Sequence, residues 1–207
     1  MTRKLSNPSV ERRGTIVAFG GNALSPNPSE DRLGEQFQKA REAVEELSSL
    51  LIDASEPLYI VHGNGPQVGQ ELLRQEEASR QLPAMSLDAC VASTQGWMGY
   101  ILESTIRNKF RTENIQRGVA TLLSQVEVDP LDAAFHDPKK PVGPFYTPYR
   151  ARQLTREKGW VLREDAGRGY RMVVPSPKPL KIHGIEAARA LSDQGFVVIV
   201  GLSLIHI

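Results

Sequence analysis

The sequence contains a single cysteine, almost no excess charge and no long apolar segment. With only Cys90, the chain has no internal disulfide, which fits a reducing compartment. Its 25 Lys and Arg residues are balanced by 24 Asp and Glu residues, so a net charge of +1 gives no global field for nucleic acid. The longest apolar run, 196–201, is far shorter than the ~20 residues that span a bilayer. We therefore expect neither nucleic acid nor a membrane as a partner, and any anion site must be local.

The first 14 residues carry four basic side chains and one acid, Glu11, without an apolar h-region. This excludes an ordinary secretory signal. We expect residues 1–14 to be a flexible N-terminal extension of a cytoplasmic protein, and a short organellar transit peptide is the alternative interpretation.

Two glycine-asparagine turns each follow a short apolar run that is typical of a buried strand. Run 15–19 precedes Gly20-Gly21-Asn22-Ala23, and run 58–61 precedes Gly63-Asn64-Gly65-Pro66. Glycines at a strand end let backbone N–H groups approach a ligand, and a following helix adds partial positive charge there. The two turns therefore predict one shared anion-binding crevice at the edge of a sheet.

The apolar periodicity predicts an α/β fold of three layers, α/β/α, built on a mostly parallel sheet. Between the first two strands, 31–51 is amphipathic with a helical period, which makes a βαβ unit with parallel pairing. Further expected elements follow in this order: a helix over 87–110, a strand over 119–123 that 126–128 extends, a helix over 185–191 and a buried strand over 196–200.

From 129 to about 170 the periodicity stops and five prolines interrupt a charged stretch. A loop of this size is usually functional, such as a lid, or disordered, and a small hairpin from 160–162 and 170–174 favours an ordered excursion. We predict a protruding lid subdomain at about 129–171. Lys139 and Lys140 lie within it, and a loop lysine is usually just solvated. If the lid covers the crevice, an ammonium group would instead reach an anion held by the glycine turns.

Two common nucleotide-binding fingerprints are absent from these turns. The third glycine of 63–69 comes one place too late for G-x-G-x-x-G, and neither turn ends as a Walker loop does. Asn22 and Asn64 are either amide donors to ligand oxygens or residues tolerated in a left-handed turn. His62, at a strand end, either acts as an acid or base or donates to a backbone carbonyl.

Five segments of the chain form a distinctive series. They are, in order, Val17-Ala18-Phe19-Gly20-Gly21-Asn22-Ala23-Leu24, Val61-His62-Gly63-Asn64-Gly65-Pro66-Gln67-Val68-Gly69, Ser93-Thr94-Gln95-Gly96-Trp97-Met98-Gly99-Tyr100, Lys140-Pro141-Val142-Gly143-Pro144-Phe145-Tyr146 and Val174-Pro175-Ser176-Pro177-Lys178-Pro179. In this order the segments resemble carbamate kinases of the amino acid kinase family. Other members of that family usually carry a lysine just before their first glycine pair, where this chain has Ala18-Phe19.

The resemblance implies reversible phosphoryl transfer between ATP and carbamate, which gives ADP and carbamoyl phosphate, with Mg²⁺ and a homodimer. In fermentative arginine breakdown this reaction runs toward ATP. The implied catalytic residue is Lys140 of the lid, which we expect to be exposed until the lid closes. The implied substrate-binding residues are Gly20, Gly21, Asn22, Ala23, Gly63, Asn64 and Gly65. No protein residue is expected as a metal ligand.

The resemblance stops after strand 196–200, where the family continues into a C-terminal lobe that binds ATP. We expect 15–201 to be the carbamate lobe with the start of the next lobe, inactive alone and with an exposed apolar surface. A sequencing-adapter sequence can encode residues 202–207, so we expect them to be non-native. The alternatives are a stand-alone anion-binding or regulatory module of this fold, and another amino acid kinase that acts on a carboxylate.

Overall fold

The computed structural model describes residues 14–24, 32–53 and 56–202. Apart from Gly14, the expected N-terminal extension lies outside the described residues, as do residues 203–207 of the expected non-native end. The strands are β1 (Thr15–Phe19), β2 (Leu58–His62), β3 (Val119–Leu122), β4 (Gln125–Val128), β5 (Lys140–Tyr146), β6 (Leu162–Glu164), β7 (Tyr170–Val174), β8 (Pro179–His183) and β9 (Val197–Gly201). The helices are α1 (Gly21–Leu24), α2 (Leu33–Glu46), α3 (Ser48–Ile52), α4 (Gly65–Ala78), α5 (Leu87–Thr112), α6 (Pro148–Lys158) and α7 (Ile185–Asp193).

The main sheet has four strands in the order β1-β2-β9-β3, and every neighbouring pair is parallel. This confirms the predicted α/β fold with a parallel sheet. Ile199 of β9 pairs with Ile60 on one side and with Thr121 on the other. The carboxyl ends of all four strands therefore meet at one edge of the sheet, which is where both glycine turns begin.

Helices α2 and α5 cover one face of the main sheet and enclose its core. The predicted single helix over 31–51 is in fact two, α2 and α3, separated at Leu47. The hydroxyl of Ser48 donates to the carbonyl oxygen of Glu45 at 2.5 Å, and such a side-chain bond competes with the helical hydrogen bond. The buried core residues are Leu24, Ala40, Val44, Leu51, Leu58, Ile60, Met98, Ile101, Leu102, Ile106, Phe110, Val119, Val197 and Ile199.

The other face of the main sheet is covered by α7 and is otherwise open among the described residues. Ile16 of β1 is 68% exposed, and a groove of about 720 Å³ runs beside it past Tyr59, Val61 and Val200. The expected exposed apolar surface is therefore present as a face of the sheet. It does not come from a strand without neighbours, since β9 is paired on both sides.

Two further sheets lie outside the main one. Strand β4 pairs antiparallel with β8, so the prediction that 126–128 extends the strand before it is wrong. Ser124 lies between β3 and β4. Its backbone N–H donates to Gln95 Oε1 at 2.9 Å, and its hydroxyl donates to the carbonyl oxygen of Gly201. These bonds tie the chain to the main-sheet edge at the point where it leaves that sheet.

The small sheet consists of antiparallel strands in the order β5-β7-β6, and it lies within the segment predicted to be a lid. The predicted hairpin is present as β6 and β7. Helix α6, which follows β5, was not predicted. Its signals are in the sequence, since Thr147 accepts from the backbone N–H of Arg150, Pro148 opens the helix and Gly159 ends it at φ 67°.

No helix in the described part of the chain is both long enough and apolar enough to cross a membrane.

Candidate functional site

The two glycine turns pack directly against each other at the edge of the main sheet. The backbone N–H of Gly63 donates to the carbonyl oxygen of Phe19 at 3.0 Å, which fixes the end of β2 against the end of β1. A Cβ at Gly21 would lie only 2.7 Å from Pro66 Cδ, so glycine is required there for the two turns to meet. The predicted residues Gly20–Ala23 and Gly63–Gly65 are therefore brought together, as expected.

Each turn leads into a helix that begins at the crevice. Helix α1 begins at Gly21, and α4, with 14 residues, begins at Gly65. The first N–H groups of a helix have no partner within the helix, and the aligned peptide dipoles add partial positive charge at that end. The edge of the sheet therefore has the geometry and the charge of an anion-binding site.

Asn64 connects the second turn to α5. Its side chain is buried, and its amide nitrogen donates to the carbonyl oxygen of Val91 at 3.1 Å and to Thr94 Oγ1 at 3.0 Å. Its φ is −136°, so Asn64 is not in a left-handed turn. Neither of the two roles predicted for this side chain fits the structure, which leaves the backbone of Asn64 for the predicted ligand. The side chain of Asn22 lies outside the described residues.

His62 belongs to the core and not to the crevice. It is 1% exposed and alternates with Ile60 and Leu58 on the buried side of β2. Neither ring nitrogen makes a hydrogen bond of normal geometry among the described residues. The backbone of Gly63 still opposes the effect of burial on the pKa of the ring, so a weak backbone contact of the predicted kind remains. Burial lowers the pKa of His62, which favours the neutral ring.

The small sheet is attached to α4, the same helix whose N-terminus forms part of the crevice. A Cβ at Gly69 would lie 3.2 Å from the Cα of Gly143, so β5 passes close to the second turn of α4. Further along α4, Glu76 accepts from the Tyr146 hydroxyl at 2.8 Å and from Arg150 Nη2 at 2.5 Å. Burial and this bond to Glu76 raise the pKa of Tyr146. These contacts hold the predicted lid in place against the main body.

Of the two lid lysines, only Lys140 is in a position that suggests a ligand. Lys139 is 75% exposed at its side chain and pairs with Asp137 at 2.8 Å. Lys140, at the start of β5, is half-buried, and burial lowers its pKa. Its ammonium group makes no hydrogen bond or ion pair within the described ranges 14–24, 32–53 and 56–202. The expectation of an exposed Lys140 is therefore wrong, and its half-buried ammonium group lacks a counter-charge.

One side chain that joins the two turns was not predicted from the sequence. Gln67, the third residue of α4, donates from Nε2 to the carbonyl oxygen of Gly21 at 3.0 Å. The available signal was its position at the start of a helix that follows a glycine turn. Its partner is 46 residues away, however, so local sequence does not reveal the contact.

Comparisons with known proteins give one consistent relationship, although no family model matches the chain. The carbamate kinase of Pyrococcus horikoshii is 40% identical over 186 residues, which are 89% of this chain and 59% of that protein. Carbamate kinase 1 of Enterococcus faecium is 44% identical over 185 residues, 89% of this chain and 58% of that protein.

Solved structures agree with the sequence comparison. Carbamate kinase from Giardia lamblia bound to AMP-PNP superimposes with a TM-score of 0.81 at 35% identity, over 93% of this chain and 62% of that one. The chain thus spans about three-fifths of the length of the relatives that it matches. Over the part that it spans, the chain is homologous to carbamate kinases.

Proposed function

We propose that the gene product is a carbamate kinase, which transfers phosphate reversibly between ATP and carbamate, and that this chain supplies the carbamoyl phosphate side of the site. The observation that carries the proposal is the unpaired, half-buried ammonium group of Lys140. It belongs to a sheet attached to α4, whose N-terminus forms the crevice with the first glycine turn. A positive group without a counter-charge, on a sheet attached to a helix whose N-terminus carries partial positive charge, favours an anionic ligand.

The chemistry needs little more from the protein than position and charge. Phosphoryl transfer proceeds through a loose transition state whose charge is spread over the phosphoryl oxygens, so no protein nucleophile is required. We assign the backbone N–H groups of 20–22 and 64–65 to hold those oxygens and Lys140 to neutralise them. The N–H groups of Ala23 and Gly63 are already bonded to the carbonyl oxygens of Gly20 and Phe19. Cys90, the one thiol, is buried with a raised pKa and takes no part.

We propose that the nucleotide binds outside this chain. AMP-PNP, an ATP analogue, is bound in the Giardia lamblia structure, and we propose that the residues for ATP and ADP lie in the part of the relatives that this chain does not span. Mg²⁺ would supply charge neutralisation at the nucleotide phosphates, and in kinases it is usually held by one or two carboxylates together with those phosphates. We therefore assign Mg²⁺ to the nucleotide side as well. We further propose a cytoplasmic homodimer, which size-exclusion chromatography of the gene product tests.

The test compares the two neighbouring lid lysines. We expect Lys140→Ala to lower kcat/KM for ATP formation from ADP and carbamoyl phosphate about 10- to 100-fold, the usual effect of losing one charge-assisted hydrogen bond. Lys139→Ala is the matched control, since Lys139 is exposed and ion-paired, and we expect less than a twofold change. Circular dichroism establishes that both variants fold.

Equal activities of the two variants would overturn the assignment of Lys140. If the complete gene product binds carbamoyl phosphate but forms no ATP, the stand-alone anion-binding module is the correct function.

A further inference from the structure

One buried acceptor at the crevice has no partner. Gln67 is 5% exposed, and its Oε1 makes no hydrogen bond with the described residues. Leaving a buried acceptor unpaired is unfavourable, and most buried polar atoms in proteins are paired. The site therefore contains an acceptor that a ligand can satisfy.

The orientation of the Gln67 side-chain amide is fixed by the hydrogen bond of its NH₂ group. Nε2 lies 3.0 Å from the carbonyl oxygen of Gly21, and a carbonyl oxygen only accepts, so the NH₂ end must be the one that faces it. Oε1 is then held beside Gly21, 3.1 Å from where a Cβ of that residue would lie. The acceptor thus lies where the two turns meet.

Two other residues of the described part also have buried side-chain atoms without partners, His62 and Ser192. His62 is on the core side of β2, and Ser192 is near the end of α7. Only Gln67 combines an unpaired atom with the N-terminus of a long helix, where an anion is expected to bind.

Phosphate and carboxylate oxygens cannot satisfy Oε1, because they too are acceptors. An amino group can, and the carbamoyl group carries one on the carbon next to the transferred phosphate. We propose that Gln67 Oε1 accepts a hydrogen bond from the amino group of the bound carbamoyl ligand, and that Gln67 thereby selects carbamate over acyl groups without N–H. This inference rests on the proposed function. It names the residue that sets substrate specificity.

Two stable phosphonates test the inference, because they differ only at the group in question. Phosphonoacetamide carries the NH₂ group, and acetonylphosphonate has a methyl group in its place. We expect the complete gene product to bind the amide about fivefold to tenfold more tightly in calorimetric or NMR titrations, the size of one buried hydrogen bond. Equal affinities would overturn the role of Gln67, and this comparison needs no variant.

Three variants separate hydrogen bonding from general damage. In Gln67→Met the acceptor is lost, so the affinity ratio of the two probes should fall to about one. Gln67→Glu keeps an acceptor oxygen, so both probes should bind more weakly beside the added charge while the amide remains preferred. Gln75→Met lies on the same helix away from the crevice and should keep the wild-type ratio.

A ratio that persists in Gln67→Met would overturn the inference. The proposed function fails in a different way, namely if neither phosphonate nor inorganic phosphate binds to the complete wild-type gene product.

Discussion

The main sheet and the small sheet are held in place by different kinds of contact. A continuous apolar core lies between the main sheet and the helices α2 and α5. The small sheet is attached to α4 through a smaller apolar cluster, the close approach of Gly69 to Gly143, and the carboxylate of Glu76. The position of the glycine turns thus depends on the global stability of the fold, whereas the position of Lys140 depends on a local attachment. Such an attachment can open without global unfolding.

The largest expected effects come from removing one buried side chain on each side of this comparison. Ile199 of the central strand is 0% exposed, and Ile199→Ala should lower the free energy of unfolding by about 2–5 kcal/mol. Leu154 of α6 is equally buried, but we expect Leu154→Ala to destabilise mainly the small sheet. Urea denaturation measures the first effect. Hydrogen exchange should show faster exchange in β5–β7 of the second variant, with β2 and β9 still protected.

If Leu154→Ala accelerated exchange equally in β2 and β9, the two sheets would form one cooperative unit and the comparison would be wrong.

Local sequence was sufficient for the elements that form the crevice. The strands before both turns and the long helix α5 were predicted because their apolar periods are set by burial on one or both faces. The order of the strands was not predictable in this way. Strand β9 lies between β2 and β3 in the sheet, although β3 precedes β9 along the chain. This strand order depends on contacts between segments that are distant in sequence.

The same limit applies to the site. A glycine-asparagine turn can be recognised from neighbouring residues, but the role of Asn64 depends on Val91 and Thr94, 27 and 30 residues away. The orphan acceptor of Gln67 depends on Gly21, 46 residues away. The location of the candidate site was therefore predictable, whereas the atoms that remain available to a ligand required the three-dimensional structure.

A second, smaller effect is expected from the carboxylate that attaches the small sheet. Glu76→Gln weakens the bonds to Tyr146 and Arg150, which should reduce the free energy that attaches the small sheet to α4 by about 1–2 kcal/mol. Because Lys140 then becomes less well positioned, the KM for carbamoyl phosphate in the proposed reaction should rise. Because the bond to Glu76 contributes to the raised pKa of Tyr146, that pKa should move down toward the ordinary value of 10.0. Absorbance titration of tyrosinate detects this shift.

Glu71→Gln is the matched control for Glu76→Gln, because Glu71 bonds only to Arg74 and Gln75 within α4 among the contacts described. A Tyr146 titration that is unchanged in Glu76→Gln would contradict the attachment.

The close approach of the two backbones can be tested with a single methyl group. Gly69→Ala places a Cβ 3.2 Å from the Cα of Gly143, where one backbone must move by a few tenths of an ångström. Gly96→Ala in α5 meets no atom within 4 Å. Both variants gain about 0.5–1 kcal/mol of helix propensity, so the difference between them isolates the contact. We expect Gly69→Ala to be the less stable of the two by about 1 kcal/mol in urea denaturation. Equal stabilities would show that the small sheet adapts freely.

The smallest expected effect concerns the main-sheet side of the comparison, and it appears only as a pH dependence. Burial lowers the pKa of His62 below its ordinary value of 6.5, so the unfolded chain binds a proton in a pH range where the folded chain does not. The unfolded state then binds more protons below about pH 6.5, and the stability of the wild-type chain should fall as the pH is lowered through that value. His62→Leu removes this contribution, and so the stability difference between wild type and variant should shift in favour of the variant between pH 7 and 5.5, by at most about 1 kcal/mol. Urea midpoints at the two pH values measure the shift, with His136→Leu at an exposed position as the control. A shift of zero would mean that the pKa of His62 is not lowered in the folded state, and the assignment of a neutral ring to the core would be wrong.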